Sequence, residues 1–194
     1  MKNNYNSIAE NYSEWAFNLK NNDIPESVQQ KLQIIVMDSI GLMASAKKEP
    51  YIVSLIDALK EIGDCVLVGH EHKTSPFNAS IINGTSVHGE DFDDTFEGTP
   101  VHVGAVMVPA MLSVAQTNNL SGQEFLRGLA IGSELICRLA LVAPTAVHRQ
   151  GFHPTAIFGA FGSSIGISSV IGSDIKQMSS ALGIVGSMAS GIIE

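Results

Sequence analysis

Two long stretches without Asp, Glu, Lys or Arg, from Gly98 to Gln123 and from Thr155 to Ser173, constrain this fold more than any other feature of the chain. Uncharged runs of that length belong inside something, either lipid or a protein core. Pro100, Pro109 and the Asn118-Asn119 pair interrupt the first, and Ser163, Ser164, Ser168 and Ser169 dilute the second. Neither sustains the apolarity of a spanning helix. Both read as buried helices of a soluble protein, and no membrane partner is expected.

Other segments repeat apolar residues at helical spacing. Asn6 or Ser7 can cap a first helix carrying Ile8, Tyr12, Trp15 and Leu19. Pro25 to about Ser45 predicts a second, whose stripe of Val28, Leu32, Ile35, Ile40 and Met43 broadens into Ile34 and Val36. Tyr51 to Ile62 predicts a third, ended by Gly63, and Cys65 to Val68 a short strand or extended segment followed by a loop from Gly69 to Ser75. Further helices are expected over Phe77 to His88, Val106 to Thr117, Gly122 to Val142, Pro154 to Ile171 and Ile175 to Ser190. Ser121 and Ser173 stand where N-caps belong, and Glu124 completes a capping-box pattern with Ser121. Gly159, Gly162 and Gly166 in one helix, and Gly183 and Gly186 in the next, each cost about 1 kcal/mol relative to alanine. Close helix packing is the ordinary reason to keep them. The expectation is an all-α fold in one domain, residues 1–194.

With 194 residues, 45% of them hydrophobic, the chain can bury one real core. A formal charge of −8, with the 11 Lys and Arg scattered, argues against nucleic acid as a partner. Cys65 and Cys137 form no CxxC pair and suit two buried thiols in a reducing compartment. The opening MKNNYNSIAENYSEW has no apolar stretch of a leader peptide, so a cytoplasmic location is expected.

Polar chemistry concentrates in Asn83-Gly84-Thr85 and then His88, Glu90, Asp91, Asp93, Asp94, Thr95 and Glu97. Acids so close repel one another and need solvent, a cation or fixed donors. A solvated loop between helices, with Asp residues capping helix ends, satisfies that requirement without any function. Asp91 to Thr95 also fits the DxDxT pattern of Mg²⁺-dependent phosphatases, with Asp91 as nucleophile. That pattern should follow a buried strand, and none is expected here. The run also faintly resembles the Mg²⁺-diphosphate motifs of helical terpenoid synthases.

His102, in Pro100-Val-His-Val-Gly, and His153, in Gly151-Phe-His-Pro-Thr, each stand in a turn that leads into an apolar helix. A histidine at a helix entrance can point into a cleft beside free backbone N–H groups, a setting for anion binding and proton transfer near neutral pH. His70 and His72 form an HxH pair in a polar loop with no third ligand nearby and read as surface histidines rather than a zinc site. His88 and His148 receive no role.

Taken in order, Ile82-Asn83-Gly84-Thr85, His88, Asp91-Phe-Asp-Asp-Thr95, His102, Pro109, Ser121-Gly122, Gly151-Phe-His-Pro-Thr-Ala156, Ala181-Leu-Gly183 and Gly186-Ser-Met-Ala-Ser-Gly191 resemble the MmgE/PrpD family. Ile24-Pro25-Glu26 and Asp38-Ser-Ile-Gly41 look like its opening helices. The resemblance covers essentially the whole chain. Members include 2-methylcitrate dehydratases, cis-aconitate decarboxylases and iminodisuccinate epimerases. It implies a large helical domain with a smaller α+β lid, a homodimer, and acid–base chemistry on a small polycarboxylate with no metal and no organic cofactor. By position it marks Asp91, His102 and His153 as catalytic and Thr95, His102 and His153 as substrate-binding.

Two departures stand out. Val103 follows His102 where the family commonly has proline, and the family's active-site lysines are expected beyond Glu194, together with the lid. A polycarboxylate needs fixed positive charge, and near the motifs only Arg138, Arg149 and protonated histidines supply it. The expectation is therefore lyase- or isomerase-type chemistry, incomplete in these residues. The alternatives are a catalytically silent helical dimerisation module and, more weakly, a Mg²⁺-dependent phosphatase.

Overall fold

In a computed structural model that describes residues 6–193, the chain runs α1 (Ile8–Asn18), α2 (Glu26–Ser45), α3 (Pro50–Ala58), β1 (Cys65–Val66), β2 (Lys73–Thr74), α4 (Pro76–His88), α5 (Val103–Asn118), α6 (Gly122–Val142), α7 (Ala146–Arg149), α8 (Pro154–Val170) and α9 (Ile175–Met188). The only sheet among the described residues is the antiparallel pair β1–β2, so the fold is all-α. No described helix is long and apolar enough to cross a membrane.

Helix starts follow the sequence closely. Ser7 caps α1 and Ser121 caps α6, each with a reciprocal glutamate three residues on. At α9 the cap is Asp174 rather than the expected Ser173: its Oδ1 accepts the Gln177 N–H at 2.8 Å, and the Gln177 side chain accepts the Asp174 N–H at 2.8 Å. Pro25 is the residue before α2, and α5 begins at Val103, three residues earlier than the spacing predicts.

Other boundaries moved because side chains compete for backbone groups. Helix α3 stops at Ala58, short of Ile62. The Leu59 and Glu61 carbonyls turn instead to Asn78 Nδ2 and Thr74 Oγ1, at 3.4 and 2.8 Å. The strand expected over Cys65 to Val68 pairs only through Val66, with a partner lying inside the expected loop. Beyond it, buried Asn83 takes over the ladder's role. Its amide donates to the Val66 carbonyl at 3.0 Å and accepts the Val68 N–H at 3.1 Å. Asn83 is thus a backbone clamp rather than part of a reactive cluster.

The centre of the molecule is a seam between α6, α8 and α5. A Cβ on Gly162 would lie 2.7 Å from the Gly132 carbonyl oxygen, and one on Gly166 would lie 2.6 Å from that of Gly128. Met107 and Met111 of α5, both fully buried, thread their thioethers against Gly132 and Gly128. Close packing accounts for Gly159, Gly162 and Gly166. It does not account for Gly183, where nothing described lies within 4 Å, or Gly186, which meets only Phe161 at 3.7 Å. Both cysteines are free. Cys65 is buried and Cys137 half-buried, its thiol pushed up to about 11 by burial, so neither suits nucleophilic work.

Candidate functional site

Helices α5 and α8 bring their N-termini together, and the first residue before each is a histidine: His102 for α5 and His153 for α8. Thr155 ties the two ends, its buried hydroxyl accepting the His102 N–H at 3.0 Å. His102 gives α5 no side-chain cap. Asp94 does so from outside, its carboxylate accepting the Gly104 N–H at 2.8 Å. Only glycine fits there, since a Cβ at 104 would collide with Asp94 Oδ1 and crowd Ile35 and Ser39. Burial raises the Asp94 carboxyl above its ordinary value, and the Gly104 hydrogen bond only partly offsets this. At the other helix, Gly151 has φ +83°, and the His153 N–H donates to the Gly191 carbonyl at 3.1 Å, fixing the entry to α8.

Asp93 is the hub of the cluster. Its side chain is fully buried, with carboxylate oxygens 3.0 and 3.1 Å from Nδ1 of His88 and 3.4 Å from Nδ1 of His102. Burial alone would raise its pKa, but hydrogen bonds from His102 and His88 overcome that and hold it well below the usual carboxylate range. Asp93 is a fixed anion. His102 responds in the opposite sense: the Asp93 hydrogen bond, opposed by burial and helped by the charges of Asp93, Asp91 and Asp94, raises its pKa. His153 shifts the other way, lowered by burial and by the facing His88 and His102.

The two remaining residues marked by the family resemblance sit at the rim. Asp91 holds a left-handed backbone, φ +56°, which aspartate tolerates better than most residues. Its side chain is 79% exposed, and Oδ1 lies 3.7 Å from His102 Nε2. Thr95, also exposed, has its hydroxyl 3.5 Å from His102 Nδ1. Asp91, Thr95, His102 and His153 therefore meet at one place. His88 and Asp93, to which sequence reasoning assigns no role, hold the group together: His88 Nε2 lies 3.1 Å from His153 Nε2, with the rings stacked at 5.2 Å. A cue was present, because one acid of a dense cluster can be buried only against donors, and His88 and His102 bracket this one.

Beside the cluster opens a cleft of about 340 Å³ lined by Gly84, Thr85, His88, Ala105, Val106, His153 and Thr155, among others. Pro109 inside α5 cannot donate to the Ala105 carbonyl, and Gly84 lets that carbonyl approach α4. Arg138 is engaged by Glu134 on an exposed face of α6 and brings no cation to the cleft. His88, Asp91, Asp93 and His102 offer ligand atoms within 4.8 Å of one another, so these four could hold a metal ion if one bound. The acidic run follows α4 rather than a strand, so the phosphatase pattern lacks its structural context.

The family model described as the MmgE/PrpD N-terminal domain matches residues 10–194. The chain belongs to the MmgE/PrpD family. Within it, the chain is 26% identical over 190 residues to the cis-aconitate decarboxylase-like protein oryM of Aspergillus oryzae, covering 92% of this chain and 39% of that protein. It is 23% identical to the cis-aconitate decarboxylase of Aspergillus terreus, over 92% of this chain and 38% of that one. Against the human cis-aconitate decarboxylase it is 26% identical over 94% of this chain and 40% of the human protein. This MmgE/PrpD chain thus spans about two fifths of the length of the curated relatives it matches.

Proposed function

We propose that these residues form the histidine-bearing part of a lyase site for a small polycarboxylic acid, with cis-aconitate as the first candidate and 2-methylcitrate and iminodisuccinate as the others. The observation that carries this is the opposite pull on two histidines of one cluster, His102 lying directly against buried Asp93 and His153 joined to that anion through His88. His102 is pushed toward keeping its proton and His153 toward losing it. Paired groups driven apart in this way are suited to divided acid and base roles. His153, neutral, takes a proton; His102, charged, gives one and attracts carboxylate. In a decarboxylation, the electron pair left on carbon when CO₂ departs is quenched by the His102 proton. In a dehydration, His153 removes the proton on carbon and His102 protonates the leaving hydroxyl.

Asp91 and Thr95 act at the entrance, where Asp91 supports the His102 charge and Thr95 offers a hydroxyl to the substrate. Three carboxylates and one imidazolium cannot hold a polycarboxylate, so further cations must come from outside these residues. No metal or organic cofactor is called for by this chemistry. A homodimer fits the exposed apolar side chains Phe77, Phe92 and Met37, which a second surface would cover. A silent dimerisation module would share those side chains, but it has no use for a buried aspartate carrying two histidines. The test is an assay of the whole protein containing this chain with each of the three acids. Turnover of one, lost in His102→Ala and His153→Ala, supports the proposal; no turnover of any overturns it.

A further inference from the structure

Both ring nitrogens of His88 are committed. Nδ1 faces two carboxylate oxygens of Asp93 at 3.0 and 3.1 Å, and those oxygens only accept. Nδ1 must therefore carry hydrogen. Nε2 faces His153 Nε2 at 3.1 Å, a separation at which two nitrogens need one hydrogen between them. When His88 is neutral its Nε2 is a lone pair, so His153 must donate from its own Nε2. That leaves the lone pair of a neutral His153 on Nδ1. The hydrogen bonds of His88 thus select the tautomer of a histidine 65 positions away in the chain.

We infer that His88 is a positioning and proton-holding residue for His153, fixing its tautomer and accepting its Nε2 proton, with Asp93 anchoring the pair. This rests on the proposed acid–base role of His153 only where turnover is concerned. A proton arriving at Nδ1 of His153 makes that ring an imidazolium. Its Nε2–H bond then breaks, and the proton forms a new bond to Nε2 of His88. His153 ends neutral, with its remaining proton on Nδ1, and His88 ends as the imidazolium, its Nδ1–H still on Asp93. The charge has moved to the ring that is hydrogen-bonded to the buried Asp93 carboxylate, and the reverse step returns it. Burial and the neighbouring charges of His88, His102 and His148 disfavour charge on His153 itself, while Asp91 partly favours it. Passing the charge to His88, whose Nδ1–H stays on the Asp93 carboxylate, answers that penalty.

The six histidines make the experiment tractable, because ¹⁵N-histidine labelling of the chain gives a small set of ring correlations that separate protonated from lone-pair nitrogens. In the unmodified chain, His88 should carry its hydrogen on Nδ1 and His153 on Nε2, with a coupling across the Nε2–Nε2 hydrogen bond. In His88→Gln the amide stands where Nε2 stood and can hydrogen-bond but not take up a proton. His153 should then populate both tautomers, because the amide can donate to its Nε2 as well as accept from it. In the whole protein, kcat/KM should fall about tenfold or more in this variant while KM changes little. A neutral His153 with its hydrogen on Nδ1 beside a neutral His88 in the unmodified chain overturns the inference without using any variant. The expected tautomers without turnover of any acid leave the hydrogen-bonded pair standing and remove the proposed function. Turnover undiminished in His88→Gln does the opposite.

Discussion

Helix α8 belongs to two regions built on opposite principles. Along its middle, Gly159, Gly162 and Gly166 press against neighbouring helices, where the contacts are apolar side chains and backbone. At its N-terminus, Pro154 and Thr155 carry His153 to a cluster of ionisable groups drawn from the end of α4, the 89–102 loop and the entry to α5. The seam is closed and satisfied by what these residues supply. The cluster is open on one side and carries more negative than positive charge. Stability and chemistry are thus separable along one helix, and substitutions a few residues apart should have effects of different kinds.

The largest separation is expected between Gly162→Val and His153→Ala. Three carbons added at 162 meet the Gly132 carbonyl and the Ile136 side chain. Backbone cannot rotate away, so destabilisation of about 3 kcal/mol or more is expected, at the upper end for overpacking. Denaturant unfolding should register it as a lower midpoint. In the whole protein, His153→Ala and His102→Ala should each lower kcat/KM by roughly 10²-fold; His153→Ala should move stability by less than about 1 kcal/mol, whereas His102→Ala also takes a donor from the buried Asp93 carboxylate and should cost about 1–3 kcal/mol. A His153→Ala variant that unfolds as readily as Gly162→Val, or retains full activity, would join the two regions again.

A related contrast concerns the 194-residue chain by itself. The seam is complete within it, so thermal unfolding should be cooperative. Among the described residues no Lys or Arg lines the cleft, and a polycarboxylate requires fixed cations, so turnover of cis-aconitate, 2-methylcitrate or iminodisuccinate should be below detection. Exposed Phe77, Phe92, Met37 and Ile62 should make the chain self-associate or bind a hydrophobic dye, which light scattering and fluorescence would read. Measurable turnover by a monomer would show that the site is less open than its charge implies.

How far these two regions could be read from sequence differs for the same physical reason. The seam is local: apolar spacing and three glycines in α8 announce it, and helices α4, α5, α6 and α8 fall within a few residues of expectation. The site is a meeting of distant segments. His102 and His153 were legible because each stands in a glycine- and proline-containing turn before an apolar helix. Asp93 was hidden among five nearby acids, since sequence does not show which one turns inward; the left-handed backbone at Asp91 separates the exposed acid from the buried one. His88 showed only as one of the two histidines that bracket the acidic run, and its role depends on a contact with a residue 65 positions away. Ser173 lost the cap of α9 to its neighbour Asp174, both being adequate cap residues, and the choice depended on geometry alone.

The pH profile should sharpen the division inside the cluster. His153 is required neutral, and burial with the facing histidines puts its pKa below 6.5, so kcat/KM should rise with pH through a value under 6.5. His102 is required charged, and the Asp93 hydrogen bond puts its pKa above 6.5, so activity should fall only above that value. The plateau brackets 6.5. Asp93→Asn removes the anion that raises His102, so the alkaline limb should move toward lower pH. An unmoved limb would assign that limb to another group.

The smallest expected effect is no effect: calorimetry with Mg²⁺ or Mn²⁺ on the folded chain should show little heat. The four residues close enough to share an ion are a poor match for Mg²⁺, which prefers six oxygens in a near-octahedral shell. Two of the four offer imidazole nitrogen. The Asp93 oxygens already accept from His88 and His102, and nearby Asp94 accepts from Gly104, so binding would have to break hydrogen bonds that are in place. Of these three aspartates only Asp91 has a carboxylate largely open to solvent, and a single exposed carboxylate binds Mg²⁺ weakly. Proton exchange also needs His102 protonated, and an imidazolium repels a cation. Tight, stoichiometric Mg²⁺ binding abolished by Asp91→Asn would mean that the acidic run, not the histidines, governs this site, and the division of acid and base between His102 and His153 would have to be abandoned.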